Sequence, residues 1–172
     1  MSEVGHSGLS QTEWRTHWAA WAIVSSPQII GFDMTDTALV NQVWPIISNQ
    51  ETKEVSQTYY GFSGSQYATA GELVDLCTPA QRAGGVEVCA GAPAVMMMYK
   101  PIDAARTAVL LINNAAAPAD LTVTFSAVPN LPCGTSCKVR DIFAQADKGT
   151  SSGSFTMPAV ASHDSAFLML SS

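Results

Sequence analysis

The sequence predicts an α+β chain in which a helix–strand–helix unit precedes an antiparallel, Greek-key-like β-sandwich. Three observations support this prediction. Tryptophans recur at helical spacing near the start, and the apolar run at residues 28–33 is typical of a strand buried on both faces. From residue 67 onward, turn residues separate a series of short strands. Because the pattern changes near residue 60, we expect one segment at 1–58 and a β-domain at 59–172.

The first helix has a clear start and stop. Ser10 and Glu13 form a capping box, in which each side chain bonds the backbone amide of the other residue. The helix is expected to run to about Ser25, because Pro27 cannot continue it. Trp14, Trp18 and Trp21 recur on one face. We expect this stripe to pack against a sheet, and an exposed sugar-stacking surface is the alternative.

The rest of the first segment resembles one repeat of a parallel α/β fold. The strand Gln28–Asp33 is followed by a helix that begins at Thr35 and Asp36 and is expected to break at Pro45. A further short helix is expected between Ser48 and Val55. A strand of this kind needs partners on both edges, so the first sixty residues look like a piece of something larger.

Eight short strands are predicted in the second segment, separated by turn signals such as Gly84-Gly85 and Asn113-Asn114. The alternation at residues 121–125 is typical of a half-buried strand. The predicted strands are Tyr67–Leu76, Val86–Ala90, Val95–Tyr99, Thr107–Asn113, Leu121–Phe125, Cys137–Asp141, Ser154–Met157 and Ala166–Leu170.

The composition predicts a folded chain and excludes some partners. Of the 172 residues, 47% are apolar and 13% are charged, which is enough apolar surface for a packed core. The net charge is −6 and basic residues do not cluster, so a nucleic-acid partner is not expected. No apolar stretch approaches the roughly 20 residues of a membrane helix, so no membrane partner is expected.

The cysteines fall into two close pairs, Cys77 with Cys89 and Cys133 with Cys137. Zinc is the alternative to two local disulfides, but no histidine lies near the second pair and 11 residues separate the cysteines of the first pair. We therefore expect disulfides, no metal and no cofactor, and an oxidising compartment. The first residues are not a signal peptide, so the natural beginning of a secreted chain is expected to lie further upstream.

Several other residues could carry chemistry. Asp33 lies at the carboxyl end of the predicted strand, where parallel α/β folds place their active sites, although ordering of the next loop with Asp36 is the simpler expectation. Glu3 and Glu13 are expected to be loop and capping residues. His6 and His17 accompany no nucleophile motif, and His17 is expected to be a packed, hydrogen-bonded histidine. Met96–Met98 are expected to pack in the core rather than bind metal.

Residues 1–58 resemble the end of the (β/α)8 barrel of glycoside hydrolase family 27, which contains α-galactosidases and α-N-acetylgalactosaminidases. The similar stretches are residues 1–10, 13–18 and 21–34, which read MSEVGHSGLS, EWRTHW and WAIVSSPQIIGFDM. Residues 48–51 and 55–57 resemble a further family segment, whose next aspartate is replaced here by Thr58. The resemblance continues through the β-domain at 95–101, 107–114 and 139–143, and then to the last strand.

The resemblance implies the last βα unit of a (β/α)8 TIM barrel followed by the family's β-domain. It implies a retaining glycosidase of carbohydrate metabolism that hydrolyses terminal α-galactosides with two aspartates. Those aspartates belong to earlier barrel strands, so no catalytic residue is expected in this chain. Met1 corresponds to a family position that lines the sugar pocket, one residue after a substrate-binding aspartate. The expected compartment is extracellular, lysosomal or vacuolar.

Three hypotheses follow from this resemblance. The chain is a catalytically incomplete part of such a hydrolase, a non-catalytic carbohydrate-binding or interaction protein, or one subunit of a split hydrolase whose partner chain carries the rest of the barrel. An exposed aromatic platform on the β-domain would favour the second hypothesis.

Overall fold

The computed structural model describes residues 2–75, 83–84 and 91–172. In the described residues three α-helices precede the strands. The helices are α1 (Gln11–Ile23), α2 (Thr37–Ile47) and α3 (Gln50–Gln57). The strands are β1 (Ser65–Asp75), β2 (Gly91–Pro101), β3 (Arg106–Asn113), β4 (Ala119–Thr124), β5 (Ser136–Asp141), β6 (Ala146–Ser152), β7 (Ser154–Val160) and β8 (Ser165–Ser171).

The described strands form two antiparallel sheets. The larger sheet has the order β1-β2-β3-β8-β5-β6, and β4 pairs with β7 in a separate ribbon. The central pair is β3 with β8, in which Val109 lies opposite Leu168. The chain crosses from the large sheet to the ribbon after β3 and again after β6. This arrangement confirms the predicted antiparallel sandwich.

The residues of β3 and β8 are buried on both faces of the large sheet. Val109, Leu111 and Leu168 face the ribbon, where they pack against Leu121 and Val123 of β4. Because side chains alternate along a strand, the intervening residues point the other way. Those residues pack against helices, so the protein has three layers: the ribbon, the large sheet and the helices.

The helical layer meets the sheet through small side chains of α1. Ala19, Ala22 and Ile23 pack against Leu110 and Phe167, and all of these residues are buried. The alanines allow the helix backbone to approach the sheet closely. Burying a side chain of the size of Ile23 stabilises the folded state by about 1.5–3 kcal/mol, so the helices are fixed to the sheet rather than merely adjacent to it.

The tryptophan stripe differs from the prediction. Trp14 and Trp18 are buried, but they pack with Val4 and with Val43 and Ile47 of α2 instead of packing on a sheet. The alanine side of α1 packs on the sheet. Trp14 and Trp18 therefore fill the space between α1, α2 and the first residues of the chain.

The predicted strand Gln28–Asp33 is wrong for the described structure. These residues, which we call the extended segment, belong to no helix or sheet, and a last barrel βα unit is not formed. Their backbone contact with another segment is the bond from the amide of Ser2 to the carbonyl of Ile29, at 2.8 Å. A strand forms only where neighbouring strands accept and donate its backbone hydrogen bonds, and the described residues place none beside it.

Smaller departures have local causes. Helix α2 continues past Pro45 to Ile47, because Pro45 and Asn41 lie on the exposed side, where water can satisfy the carbonyl that the proline leaves free. Strand β6 has no apolar alternation and was not predicted. Phe125 enters a 3₁₀ turn instead of extending β4. The predicted strand Val86–Ala90 lies outside the described residues. None of the described helices is long and apolar enough to cross a membrane.

Polar bonds also join the helices to the sheet. Lys100 of β2 is fully buried, and its Nζ donates to Ser25 Oγ at 2.7 Å and to the carbonyl oxygens of Val55 and Ser56 in the last turn of α3. Asn49 donates from its side chain to the carbonyl of Ile142 at 2.8 Å. These bonds tie the ends of α1 and α3 to the sandwich.

Candidate functional site

The first residues and the extended segment enclose a cleft of about 420 Å³. It is lined by residues 2–7, by Gly31–Asp33 and by Leu39. The first residues approach Phe32 closely at Gly5. Gly5 has a φ of +86°, and a Cβ there would lie 2.9 Å from atoms of the Phe32 side chain, so only glycine fits this position. Met1, the predicted sugar-lining residue, lies outside the described residues.

Asp33 lines the cleft, but its carboxylate is engaged locally. Its Oδ1 accepts hydrogen bonds from the Thr35 amide at 2.8 Å and from the Thr35 hydroxyl at 2.7 Å. These bonds, the hydroxyl first, lower the pKa of Asp33 below its ordinary value. Asp36 accepts from the amide of Leu39 and caps α2. Both aspartates therefore order the turn into α2, as the sequence predicts, and Asp33 is held as an anion rather than as a proton donor.

The other acidic candidates have different environments. Glu13 completes the predicted capping box: Oε2 accepts from the amide of Ser10 at 2.7 Å, and Ser10 Oγ accepts from the amide of Glu13 at 3.3 Å. The bond to the Ser10 amide is the largest cause that lowers the pKa of Glu13. Glu3 has an exposed side chain in the cleft. Glu3 and Asp33 are thus the two carboxylates that the described residues bring to this cleft.

Both histidine candidates act as hydrogen-bond acceptors. His17 lies on α1, and its Nε2 accepts from the amide of Glu3 at 3.3 Å while its ring lies 5.1 Å from that of Trp21. Burial lowers the pKa of His17, against an opposing effect of Glu3. His17 is therefore the packed, hydrogen-bonded residue that was predicted. His6 is exposed, and its Nδ1 accepts from the amide of Gly8 at 3.1 Å.

The methionine run alternates between the two cores, as a strand requires. Met97 packs toward the ribbon, whereas Met96 and Met98 pack toward the helices. Among the described residues, no three metal-ligating side chains lie close enough together to hold a metal ion.

The structure contains a disulfide between Cys133 and Cys137, whose Cα atoms are 5.1 Å apart. It closes the short loop before β5, and Cys137 is fully buried beneath the ribbon. Cys77 and Cys89, the other predicted pair, lie outside the described residues.

A second cleft, of about 570 Å³, lies between α3 and strands β5, β6 and β8. Arg140 binds Glu51 through both Nε and Nη2 and also contacts Asp147 at 2.9 Å. Arg106 bridges Glu54 and Asp103. The carboxylates raise the pKa of each arginine, Glu51 first for Arg140 and Asp103 first for Arg106. These contacts hold α3 against the sandwich. Sequence reasoning missed them, although Glu51 and Glu54 share a helix face at a spacing of three residues.

Some large apolar side chains remain exposed. On the side of α2 and the extended segment, the exposed fractions are 56% for Ile29, 38% for Ile30, 52% for Met34 and 54% for Trp44. We call these four residues the open apolar face. Tyr59 and Tyr60 are also exposed, by 72% and 52%, in the connection from α3 to β1. None of these residues was predicted from the sequence to form an exposed surface.

A family model described as "Alpha galactosidase C-terminal beta sandwich domain" matches residues 95–170. A curated α-galactosidase of Coffea arabica is 30% identical over 170 residues, which are 99% of this chain and 38% of that protein. One from Cyamopsis tetragonoloba is 28% identical over 89% of this chain and 31% of that protein. The chain thus spans about a third of the length of these relatives.

Solved structures show the same fold. α-Galactosidase I from Mortierella vinacea superposes with a TM-score of 0.78 at 25% identity, covering 99% of this chain and 38% of that one. The α-galactosidase from Saccharomyces cerevisiae, solved with raffinose, superposes with a TM-score of 0.73 at 16% identity, covering 98% of this chain and 45% of that one. The second likeness concerns the fold alone.

Proposed function

Since the chain is homologous to the C-terminal portion of the α-galactosidases of glycoside hydrolase family 27, we propose that it supplies the C-terminal part of a retaining hydrolase of terminal α-galactosides. In this proposal residues 1–58 complete a (β/α)8 barrel and residues 59–172 form the β-domain beside it. Met1 would line the sugar pocket. The sequence match and the superposition over nearly the whole chain support the proposal.

The observation that carries the barrel assignment is the open apolar face. Ile29, Ile30, Met34 and Trp44 expose large apolar surfaces in α2 and in the segment between α1 and α2. The extended segment also has backbone groups without a sheet. The rest of the barrel would bury these side chains and pair Gln28–Asp33 as the eighth strand. Clusters of exposed apolar side chains generally mark surfaces that bind another part of a protein.

We propose that the 172 residues are catalytically incomplete by themselves. A retaining glycosidase uses two carboxyl groups roughly 5–5.5 Å apart, one as nucleophile and one as general acid/base. Asp33 is held as an anion by Thr35, and Glu3 is an exposed side chain of a loop. The bonds from Thr35 lower the pKa of Asp33 and so disfavour a protonated carboxyl group that could donate to a leaving oxygen. The proposed substrates are therefore substrates of the completed barrel.

The test is sugar release from an aryl α-galactoside by the purified chain, with the Asp33→Asn variant as control. We expect no release above the background for either protein. Release by the wild-type chain that disappears in Asp33→Asn would show that the chain is itself a hydrolase, and would contradict the proposal.

A non-catalytic carbohydrate-binding protein is the second candidate, and the exposed pair Tyr59 and Tyr60 favours it. Tyrosine rings stack on the apolar faces of sugars, and these two rings lie at the start of the proposed β-domain. Titration of raffinose into the chain, followed by amide resonances, tests this candidate. Saturable shifts that vanish in Tyr59→Ala/Tyr60→Ala would support it, and unchanged spectra at millimolar raffinose would exclude it.

The disulfide Cys133–Cys137 supports an oxidising compartment. We therefore propose an extracellular, lysosomal or vacuolar location for the protein.

A further inference from the structure

The first residues of the chain are held by a small set of backbone bonds. The amide of Ser2 donates to the carbonyl of Ile29, and the amide of Val4 donates to Ser2 Oγ at 3.2 Å. The amide of Glu3, between them, donates to His17 Nε2. Of these three acceptors, the imidazole of His17 is the one whose capacity to accept depends on pH.

His17 can accept this bond only while it is neutral. In the neutral ring Nε2 has a free lone pair and the proton lies on Nδ1, whereas in the imidazolium both nitrogens are donors. Protonation would place the Nε2–H against the N–H of Glu3, and the bond would be lost. The same residue offers an alternative, because the exposed carboxylate of Glu3 can pair with the imidazolium.

We propose that His17 is a positioning residue for residues 2–4: the neutral imidazole fixes the Glu3 amide, and the imidazolium releases it in exchange for the Glu3 carboxylate. The exchange moves the chain directly beside the cleft that Asp33 lines. This proposal rests on the proposed function for its consequence, since residue 1 then belongs to the sugar pocket.

The charged groups around His17 set the pH range in which this exchange occurs. Burial on α1 lowers the pKa of His17, and the Glu3 carboxylate partly opposes this effect, while the α-amino group of the chain lowers the pKa further. Glu13, one turn earlier on α1, is occupied by Ser10. Asp33 lies across the cleft. Because the folded pKa lies below the ordinary 6.5, the bond is fully present above pH 6.5 and is lost as the pH falls through the folded pKa.

Two substitutions of His17 separate the effect of the hydrogen-bond acceptor from the effect of protonating the imidazole. In His17→Gln, Oε1 can take the place of Nε2 and accepts at every pH. In His17→Phe, the contact with Trp21 is kept but no acceptor remains. His6→Asn is the matched control, because Oδ1 replaces the Nδ1 that accepts from Gly8 and leaves Glu3 untouched.

The experiment follows the backbone amide resonance of Glu3 and the imidazole resonances of His17 between pH 4.5 and 8 in the complete 172-residue chain. In the wild-type protein and in His6→Asn, the Glu3 amide is expected to shift with a single-proton titration that matches His17. In His17→Gln the shift is lost and the amide stays near its neutral-pH position. In His17→Phe the amide stays near its acid position throughout.

A Glu3 amide that does not move while His17 titrates would overturn the proposal, and so would a wild-type pH dependence in His17→Gln. Activity separates this result from the proposed function. If the amide behaves as expected but the chain completes no hydrolase, the proposed function fails and the positioning role stands. If it completes one, the acid limb of its pH profile is expected to move to lower pH in His17→Gln.

Discussion

Replacing Lys100 with methionine is expected to loosen the helices from the sandwich. Methionine preserves most of the apolar stem but removes Nζ, which donates to Ser25 Oγ and to the carbonyls of Val55 and Ser56. Val55 is fully buried, so its carbonyl loses a donor that water cannot easily replace. No carboxylate is among these acceptors, and the ammonium is held by the oxygens at the ends of two helices, where cations are favoured.

The size of the expected loss of stability follows from the hydrogen bonds that the Lys100→Met substitution removes. A hydrogen bond from a charged donor contributes about 1.5–3 kcal/mol, and a buried carbonyl left without a donor costs about 1–3 kcal/mol. Removing the ammonium also removes the cost of burying a charge, which lowers the pKa of Lys100 in the folded protein. We therefore expect a net loss of about 3 kcal/mol, or about 9 °C in Tm for a chain of this size.

The assay is urea unfolding followed by two signals. All four tryptophans lie in residues 1–58, so their fluorescence reports on the helices, whereas circular dichroism also reports on the sandwich. We expect the fluorescence transition of Lys100→Met to move to lower urea, ahead of the circular dichroism transition. Lys138→Met is the matched control, because exposed Lys138 makes a single bond to the carbonyl of Ser172. A Lys100→Met protein within about 0.5 kcal/mol of the control would show that the Lys100 bonds do not hold the helices to the sandwich.

Three further predictions concern the β-domain. Burial raises the pKa of Tyr67 to about 12, so the unfolded chain loses this proton first and stability is expected to fall as the pH rises from 10 through 12; a Tyr67→Phe variant that keeps this alkaline loss in denaturant titrations would contradict the assignment. Gly64→Ala would place a Cβ 2.0 Å from a backbone carbonyl oxygen of α1, whereas Gly61→Ala meets nothing within 4 Å at a similar φ. Thermal melts are therefore expected to show a loss of about 1 kcal/mol for Gly61→Ala and clearly more for Gly64→Ala, and equal losses would argue against this close approach. Peptide mass mapping of the protein from its natural source is expected to find the pairs Cys77–Cys89 and Cys133–Cys137, and four free thiols would exclude both the disulfides and the oxidising compartment.

The strands and the first helix were predictable because their signals are local. The capping box of Ser10 and Glu13 is present as predicted, and the alternation around Leu121 and Val123 gives β4. Strand β6 was missed because its pairing with β5 is a property of the sheet edge, not of its own polar sequence. The tryptophan face was assigned to the wrong neighbour, because periodicity shows that a face is buried and does not show what covers it.

The candidate site was predictable only in part. The local roles of Asp33 and Asp36 follow from their positions before a helix, and the structure places both as expected. The partner of His17 lies 14 positions away and those of Lys100 lie 44 to 75 positions away, so no local pattern could have identified them. The strand at 28–33 was predicted from a burial pattern that requires a strand on each side. The described residues provide no such strands.

The most direct test of the account is reconstitution of a complete barrel. The partner is the α-galactosidase of Coffea arabica from which the part that matches this chain has been removed. We expect the mixture to form a stable complex by light scattering and to release sugar from an aryl α-galactoside, while either chain alone does not. Trp44→Asp is expected to weaken the complex through the open apolar face. Asp33-dependent turnover by the 172-residue chain alone would contradict the proposal that it supplies one part of a hydrolase whose catalytic carboxylates lie elsewhere.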